Sequence, residues 1–157
     1  MTEEELQKDP VLRKMIIGDE GIRYRPYRDT RGIWTGGIGY NLEAHGITTE
    51  QIDTWRHTGI PEALVWQWFD AAKDAAIVCC YQVFAAFEEL PDDAQRVLVD
   101  MAYDLMYELR DWHLLRKAVA KRDWKQAGNE ILRSEFAREA PERAQRLAEI
   151  MGRINAD

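Results

Sequence analysis

The chain has 157 residues, 46% hydrophobic and 31% charged, which suits one domain, or one domain of two small lobes sharing a helix. No apolar run approaches the roughly 18 residues of a membrane span, the acidic opening Met1-Thr2-Glu3-Glu4-Glu5 is unlike a secretory signal, and adjacent Cys79 and Cys80 read as reduced core residues. A net charge of −7, from 21 basic and 28 acidic residues, argues against a sequence-independent nucleic-acid binder, which needs a basic face for phosphates.

Residues 3–19 read as one helix, because Val11, Leu12, Met15 and Ile16 recur on one helical face and Gly18 and Gly21 act as stops. Between 22 and 42 the β-formers Tyr24, Tyr27, Ile33, Trp34, Thr35, Ile38 and Tyr40 surround the turn Asp29-Thr30-Arg31-Gly32, which predicts a small antiparallel sheet. Gly36, Gly37 and Gly39 mark bends or close backbone approach within it. From residue 47 onward the pattern is helical. Thr48-Thr49-Glu50-Gln51 resembles a capping box. Pro61 then opens a run from Glu62 to about Val83 without Gly or Pro, roughly 33 Å long and able to bridge two lobes. Pro91 breaks the pattern, and Asp92 or Asp93 starts a helix over Val97, Leu98, Met101, Ala102 and Leu105. Shorter helices follow near 112–121, 123–134 and 141–151, so the fold class is α+β, with a small sheet in front of a helical majority.

The chemistry concentrates at the front. Glu20 falls at the C-terminal end of a helix beside Ile16 and Ile17; the helix dipole and poor solvation both favour its protonated form, which suits a general acid. Asp29 occupies a polar turn whose backbone N–H groups can hold it ionised. Two carboxyls in contrasting surroundings, nine residues apart, are the pair that glycoside hydrolysis requires. Thr35 offers a hydroxyl to orient water, and period-two alternation puts Ile33, Thr35, Gly37 and Gly39 on one face, bare enough beyond Thr35 for a polymer to lie against. The plainer reading is a solvated helix end and an Asp that serves turn geometry.

Asp19-Glu20-Gly21, Tyr27-x-Asp29-Thr30-x-Gly32 and Thr35-x-Gly37-x-Gly39 together resemble the phage-type lysozymes, the endolysin family of the T-even phage lysozyme, with Glu20, Asp29 and Thr35 at that family's spacing. More weakly, Asp100-Met101-Ala102-Tyr103-Asp104-Leu105 resembles the family's Asn-Met-Ala-Phe-Asn-Leu helix, and Ala140-Pro141-x-Arg143-Ala144 its Thr-Pro-x-Arg-Ala stretch. The resemblance implies one lysozyme-like domain over 1–157: a sheet lobe over about 20–60, a linking helix over about 61–83, and a larger helical lobe over about 84–157 with the N-terminal helix. It implies a muramidase that cleaves the β-1,4 bond between N-acetylmuramic acid and N-acetylglucosamine in peptidoglycan with inversion. Glu20 would be the acid, with Asp29 and Thr35 activating water; Gly37, Gly39, Tyr103 and Arg143 would contact substrate, Arg143 also pairing with the catalytic glutamate, and Asp19 with Arg146 would form a buried ion pair. No metal or cofactor is implied. The expected context is a monomer made in a host cytoplasm and released to the periplasm or cell wall with the help of a separate holin-like protein, without stable membrane insertion. This chain departs from the family at Tyr40, where T-even members have histidine, at Asp100 and Asp104, which replace amides, and at Met106, which replaces a helix-ending glycine.

Other readings remain open: a non-catalytic lysozyme-fold module that binds glycan or protein, or a wall-degrading antibacterial effector or virion component. His45, His57 and His113 lack a recognisable ligand spacing, and Gly36-Gly37-Ile38-Gly39 lacks the Lys-Ser/Thr ending of a phosphate loop. Trp66, Trp68, Phe69, Tyr81, Phe84 and Phe87 read as core between lobes, with a partner-binding surface as the alternative. Arg23, Arg25, Arg28 and Arg31 form either a local basic patch or a guarded strand edge.

Overall fold

Pro10 splits the helix expected over 3–19. It lacks a backbone N–H and restricts the residue before it, so the chain forms α1 (Glu3–Gln7), breaks at Lys8-Asp9, and restarts as α2 (Pro10–Glu20). Asp9 completes the restart by accepting the Leu12 N–H at 3.1 Å. Helix α2 runs through Gly18 and stops at Gly21, which takes φ +73°.

The computed structural model describes residues 1–155; the last two positions of the expected helical lobe lie outside the described residues. The fold is α+β, with a three-stranded antiparallel sheet in the order β1 (Arg23–Arg28), β2 (Trp34–Gly37), β3 (Tyr40–Asn41). The remaining helices are α3 (Thr49–Thr58), α4 (Glu62–Val83), α5 (Asp92–Leu105), α6 (His113–Ala120), α7 (Trp124–Leu132), α8 (Glu135–Glu139) and α9 (Pro141–Gly152). The chain divides into two compact units: a sheet unit, Arg13–Asp74, and a helical unit made of Met1–Leu12 with the chain from Ala75 onward. The division falls inside α2 and α4.

In the sheet unit, β1 pairs with β2 so that Tyr27 faces Thr35 and Arg28 faces Trp34. The register slips between Arg23 and Tyr27, a stretch that contains Pro26, which has no N–H to give to the ladder. The Tyr24 carbonyl is taken instead by Ile60 N–H at 2.6 Å, which ties β1 to the chain entering α4. Thr48 caps α3 by accepting the Gln51 N–H at 3.1 Å. The buried apolar residues here are Ile16, Ile38, Leu42, Ile52, Ile60, Val65 and Phe69.

The helical unit buries Leu98, Met101, Leu109, Phe136, Leu147 and Met151, among others. Gly128 lets α7 approach α9 closely: a Cβ there would sit 2.8 Å from the Ala148 carbonyl of α9. The helix expected over 123–134 ends at Leu132, and Ser134 caps the short α8 by accepting the Ala137 N–H at 3.3 Å. Cys79 and Cys80 are buried free thiols, and burial pushes both thiols up, Cys80 well above its ordinary value. Two internal ion pairs cross long sequence distances. Arg96 holds Asp9 at 2.7 Å, and Arg143 holds the fully buried Asp100 through Nε at 2.9 Å while its Nη2 donates to the Asp100 carbonyl. The six aromatic residues expected as one cluster divide between the units. Trp66 and Phe69 meet edge to face under the Arg13 guanidinium in the sheet unit, and Tyr81 meets Phe87 in the helical unit.

Candidate active site

Glu20, Asp29 and Thr35 all belong to the sheet unit. Glu20 is the last residue of α2, and its side chain lies over the turn that joins β2 to β3. The contact is with Gly39: a Cβ built there would overlap the Glu20 carboxyl, 2.7 Å from its Cδ. Gly39 also has φ +61°, a conformation that side-chain-bearing residues avoid. The position therefore needs glycine twice, for the backbone angle and for the room the carboxyl occupies.

Asp29 lies in the turn between β1 and β2. Its Oδ1 accepts two backbone N–H groups, from Arg31 and Ile33, each at 2.9 Å. Its own N–H donates to the Ile33 carbonyl at 2.9 Å. The Asp29 side chain and backbone thus both bind Ile33, which fixes the carboxylate's direction. Thr35 joins this network, since its hydroxyl donates to the same Ile33 carbonyl at 3.0 Å and its lone pairs are then the part offered to another donor. Thr35 is only 6% exposed, so its hydroxyl is held by packing as well as by that bond.

Tyr27 lies near the end of β1. It faces Thr35 across the β1–β2 pair, so both side chains emerge on one face of the sheet. Burial raises its phenol above the ordinary value; Arg23, whose guanidinium stacks on the ring at 4.3 Å, acts against this, and the negative charges of Glu20 and Asp29 both add to it. The one signal of Tyr27 in the sequence is its place in the Tyr27-x-Asp29 pattern, at the end of β1 just before the turn that holds Asp29.

The expected bare glycine face is not present. Gly37 takes φ +60° and its open side meets Val65 Cγ1 at 3.5 Å and Trp68 Cε3 at 3.6 Å, while Gly39 lies under Glu20. Alternation ends at Gly37, the last residue of β2, because its positive φ turns the chain and Gly39 belongs to the turn that follows; Gly37 packs the end of β2 on α4 and Gly39 makes room for Glu20. Beside that turn, Tyr40 stacks between Trp68, with ring centres 4.4 Å apart, and His45, at 4.0 Å, and Trp55 meets Trp68 edge to face. Burial raises the Tyr40 phenol. Two of the four arginines of this region lie on aromatic faces, Arg23 on Tyr27 and Arg28 over Trp34 at 4.5 Å, where Arg56 joins it at 5.3 Å. His57, paired with Asp53 at helical spacing, bonds through Nδ1 to the Asp53 backbone carbonyl at 2.9 Å.

The other expected residues stand elsewhere in the chain. Asp19 is on α2 in the sheet unit; Tyr103 on α5 and Arg143 and Arg146 on α9 belong to the helical unit. Arg143 is 7% exposed and lies 5.7 Å from the Phe136 ring centre. Asp100 supplies Arg143 with a buried carboxylate, so this arginine is held inside the helical unit. Met106 takes a backbone suited to glycine, with φ 47° and ψ −131° at the end of α5. Comparison of the chain with protein-family models and with curated proteins finds no match.

Proposed function

We propose that the chain is a glycoside hydrolase of the phage-lysozyme kind, a muramidase acting on peptidoglycan. Glu20 protonates the leaving glycosidic oxygen, and Asp29 draws a proton from the water that attacks the opposite sugar face. Thr35 accepts a hydrogen bond from that water with the lone pairs its bond to Ile33 leaves available. One observation carries this reading: two carboxyls of the same unit are held in contrasting ways, Asp29 by two backbone N–H groups and Glu20 at a helix end on Gly39. We propose a lysozyme-like fold on the same footing, supported by the small sheet and the 22-residue α4. Cell lysis from a host cytoplasm, with release by a separate protein, is the role that suits such an enzyme.

The test is release of reducing ends from purified peptidoglycan, and clearing of outer-membrane-permeabilised Gram-negative cells, by the wild type and by Glu20→Gln. The wild type should release muramic-acid reducing ends of inverted configuration, and the variant should fold but release none. A folded wild type that leaves purified peptidoglycan intact would refute the hydrolase reading.

A further inference from the structure

Between residues 110 and 125 this acidic chain carries six Lys and Arg residues against two carboxylates, a local reversal of its overall charge. Several cations of the helical unit elsewhere are paired: Arg96 with Asp9 and Asp93, Arg143 with Asp100, Arg133 with Glu130, Arg138 with Glu135. Arg116 and Lys117, on α6, are in salt-bridge contact with no carboxylate among the described residues. Arg116 is instead pinned by backbone. Its Nε donates to the Val83 carbonyl at 3.2 Å and its Nη1 to the Arg110 carbonyl at 2.8 Å. Those bonds fix the guanidinium and cover the exposed carbonyl at the end of α4, but carbonyls do not cancel its charge, and Nη2 keeps both of its donors.

This fixed cation lines a cavity of about 280 Å³ inside the helical unit. Val83 and Phe84, at the end of α4, and Val119, on α6, give it an apolar floor; His113, Arg116 and Lys117 give it a polar rim. The volume is close to the lower end for small-molecule sites, enough for a single ring with one oxyanion head. A guanidinium with a donating nitrogen to spare, an ammonium and an imidazole suit a tetrahedral oxyanion with several acceptor oxygens better than a neutral polar group.

We propose that this cavity binds a small organic phosphate monoester, with its apolar body on Val83, Phe84 and Val119 and its phosphoryl oxygens on Arg116, Lys117 and His113. The proposal is independent of the glycosidase reading. The competing account is that Arg116 only caps α4 and that the surrounding charge is a solvated face.

The test is an amide NMR titration of the full chain with phenyl phosphate, inorganic phosphate and benzyl alcohol in parallel. Phenyl phosphate should saturate, with shifts concentrated at 83–85 and 113–120, and should bind about tenfold more tightly than either fragment. Lys117→Gln, at an exposed position, should weaken it by about tenfold with the fold unchanged, while Lys14→Gln, in the sheet unit, should not. Arg116→Gln should weaken binding and lower the melting temperature together, because it also uncovers two carbonyls. Non-saturating shifts spread over all basic residues, or unchanged binding in Lys117→Gln, would overturn the proposal. So would sedimentation with phosphatidic-acid vesicles in the absence of saturable phenyl phosphate binding, since the charge would then serve an extended surface and not a cavity.

Discussion

Within the sheet unit every described residue at positive φ is a glycine, whereas in the helical unit the non-glycine residues Ala86, Met106 and Arg122 occupy that region. A side chain in the left-handed region costs about 1–2 kcal/mol. The helical unit sustains that strain beside a large apolar core and two internal ion pairs, Asp9–Arg96 and Asp100–Arg143. The sheet unit uses tight turns instead, and two of them hold acids: Gly39 makes room for Glu20, and the Asp29 turn turns two backbone N–H groups onto one carboxylate oxygen. The difference teaches where each unit is sensitive. Substitutions in the sheet unit should act on chemistry, and those in the helical unit on stability.

The sharpest separation is expected at Glu20. Glu20→Gln should lower the rate of peptidoglycan cleavage by at least about 10³-fold, with a melting temperature close to wild type. A large fall in stability without loss of rate would reverse the comparison. In the helical unit, Asp9→Asn should cost about 2–3 kcal/mol in denaturant unfolding, because it leaves Arg96 short of its nearer carboxylate and weakens the cap of α2. Burial raises the Asp9 carboxyl, but the Arg96 and Leu12 hydrogen bonds outweigh it and leave the group below its ordinary 3.8. That stabilisation is present above 3.8 and is lost as pH falls through the lowered native value. The wild-type melting temperature should therefore fall more steeply than that of Asp9→Asn between about pH 5 and about pH 2.

Gly39→Ala tests the seat of the acid. It should cost about 1–2 kcal/mol for the backbone angle and lower the cleavage rate about tenfold by displacing the Glu20 carboxyl. Loss of stability with full activity would mean that Glu20 need not lie there. The smallest effect, and a gain, is expected at Met106→Gly, which should relieve strain at the end of α5 and stabilise the chain by up to about 1 kcal/mol in chemical denaturation, with cleavage unchanged. A destabilised Met106→Gly would show that the Met106 side chain contributes more packing than its backbone angle costs.

Much of the local structure was legible. The gap-free run from Glu62 ends at Val83 as its composition suggested, Thr48 caps α3, and Asp92 opens α5 behind Pro91. These features rest on helical periodicity, capping and proline geometry, all of which act within a few residues. The split at Pro10 is equally local: the apolar spacing of Val11 to Ile16 belongs to α2 alone, and the proline ends any continuity with Glu3–Gln7. The candidate acids were legible as residue types at a spacing, but their surroundings were not. That Gly39 lies beneath Glu20, or that Val65 and Trp68 close over Gly37, depends on how α2 and α4 meet the β2–β3 turn.

The amino-acid order by itself determined the elements of this protein and the chemical types at its front, because turns, caps and amphipathic faces are decided by neighbours. Only the tertiary structure decided which charges are paired: Arg96 finds Asp9 from 87 residues away and Arg143 finds Asp100 from 43, while Arg116 is pinned to carbonyls beside an open cavity. The physical reason is that an ion pair's worth depends on burial and on what else surrounds it, and both are set only when distant segments pack together.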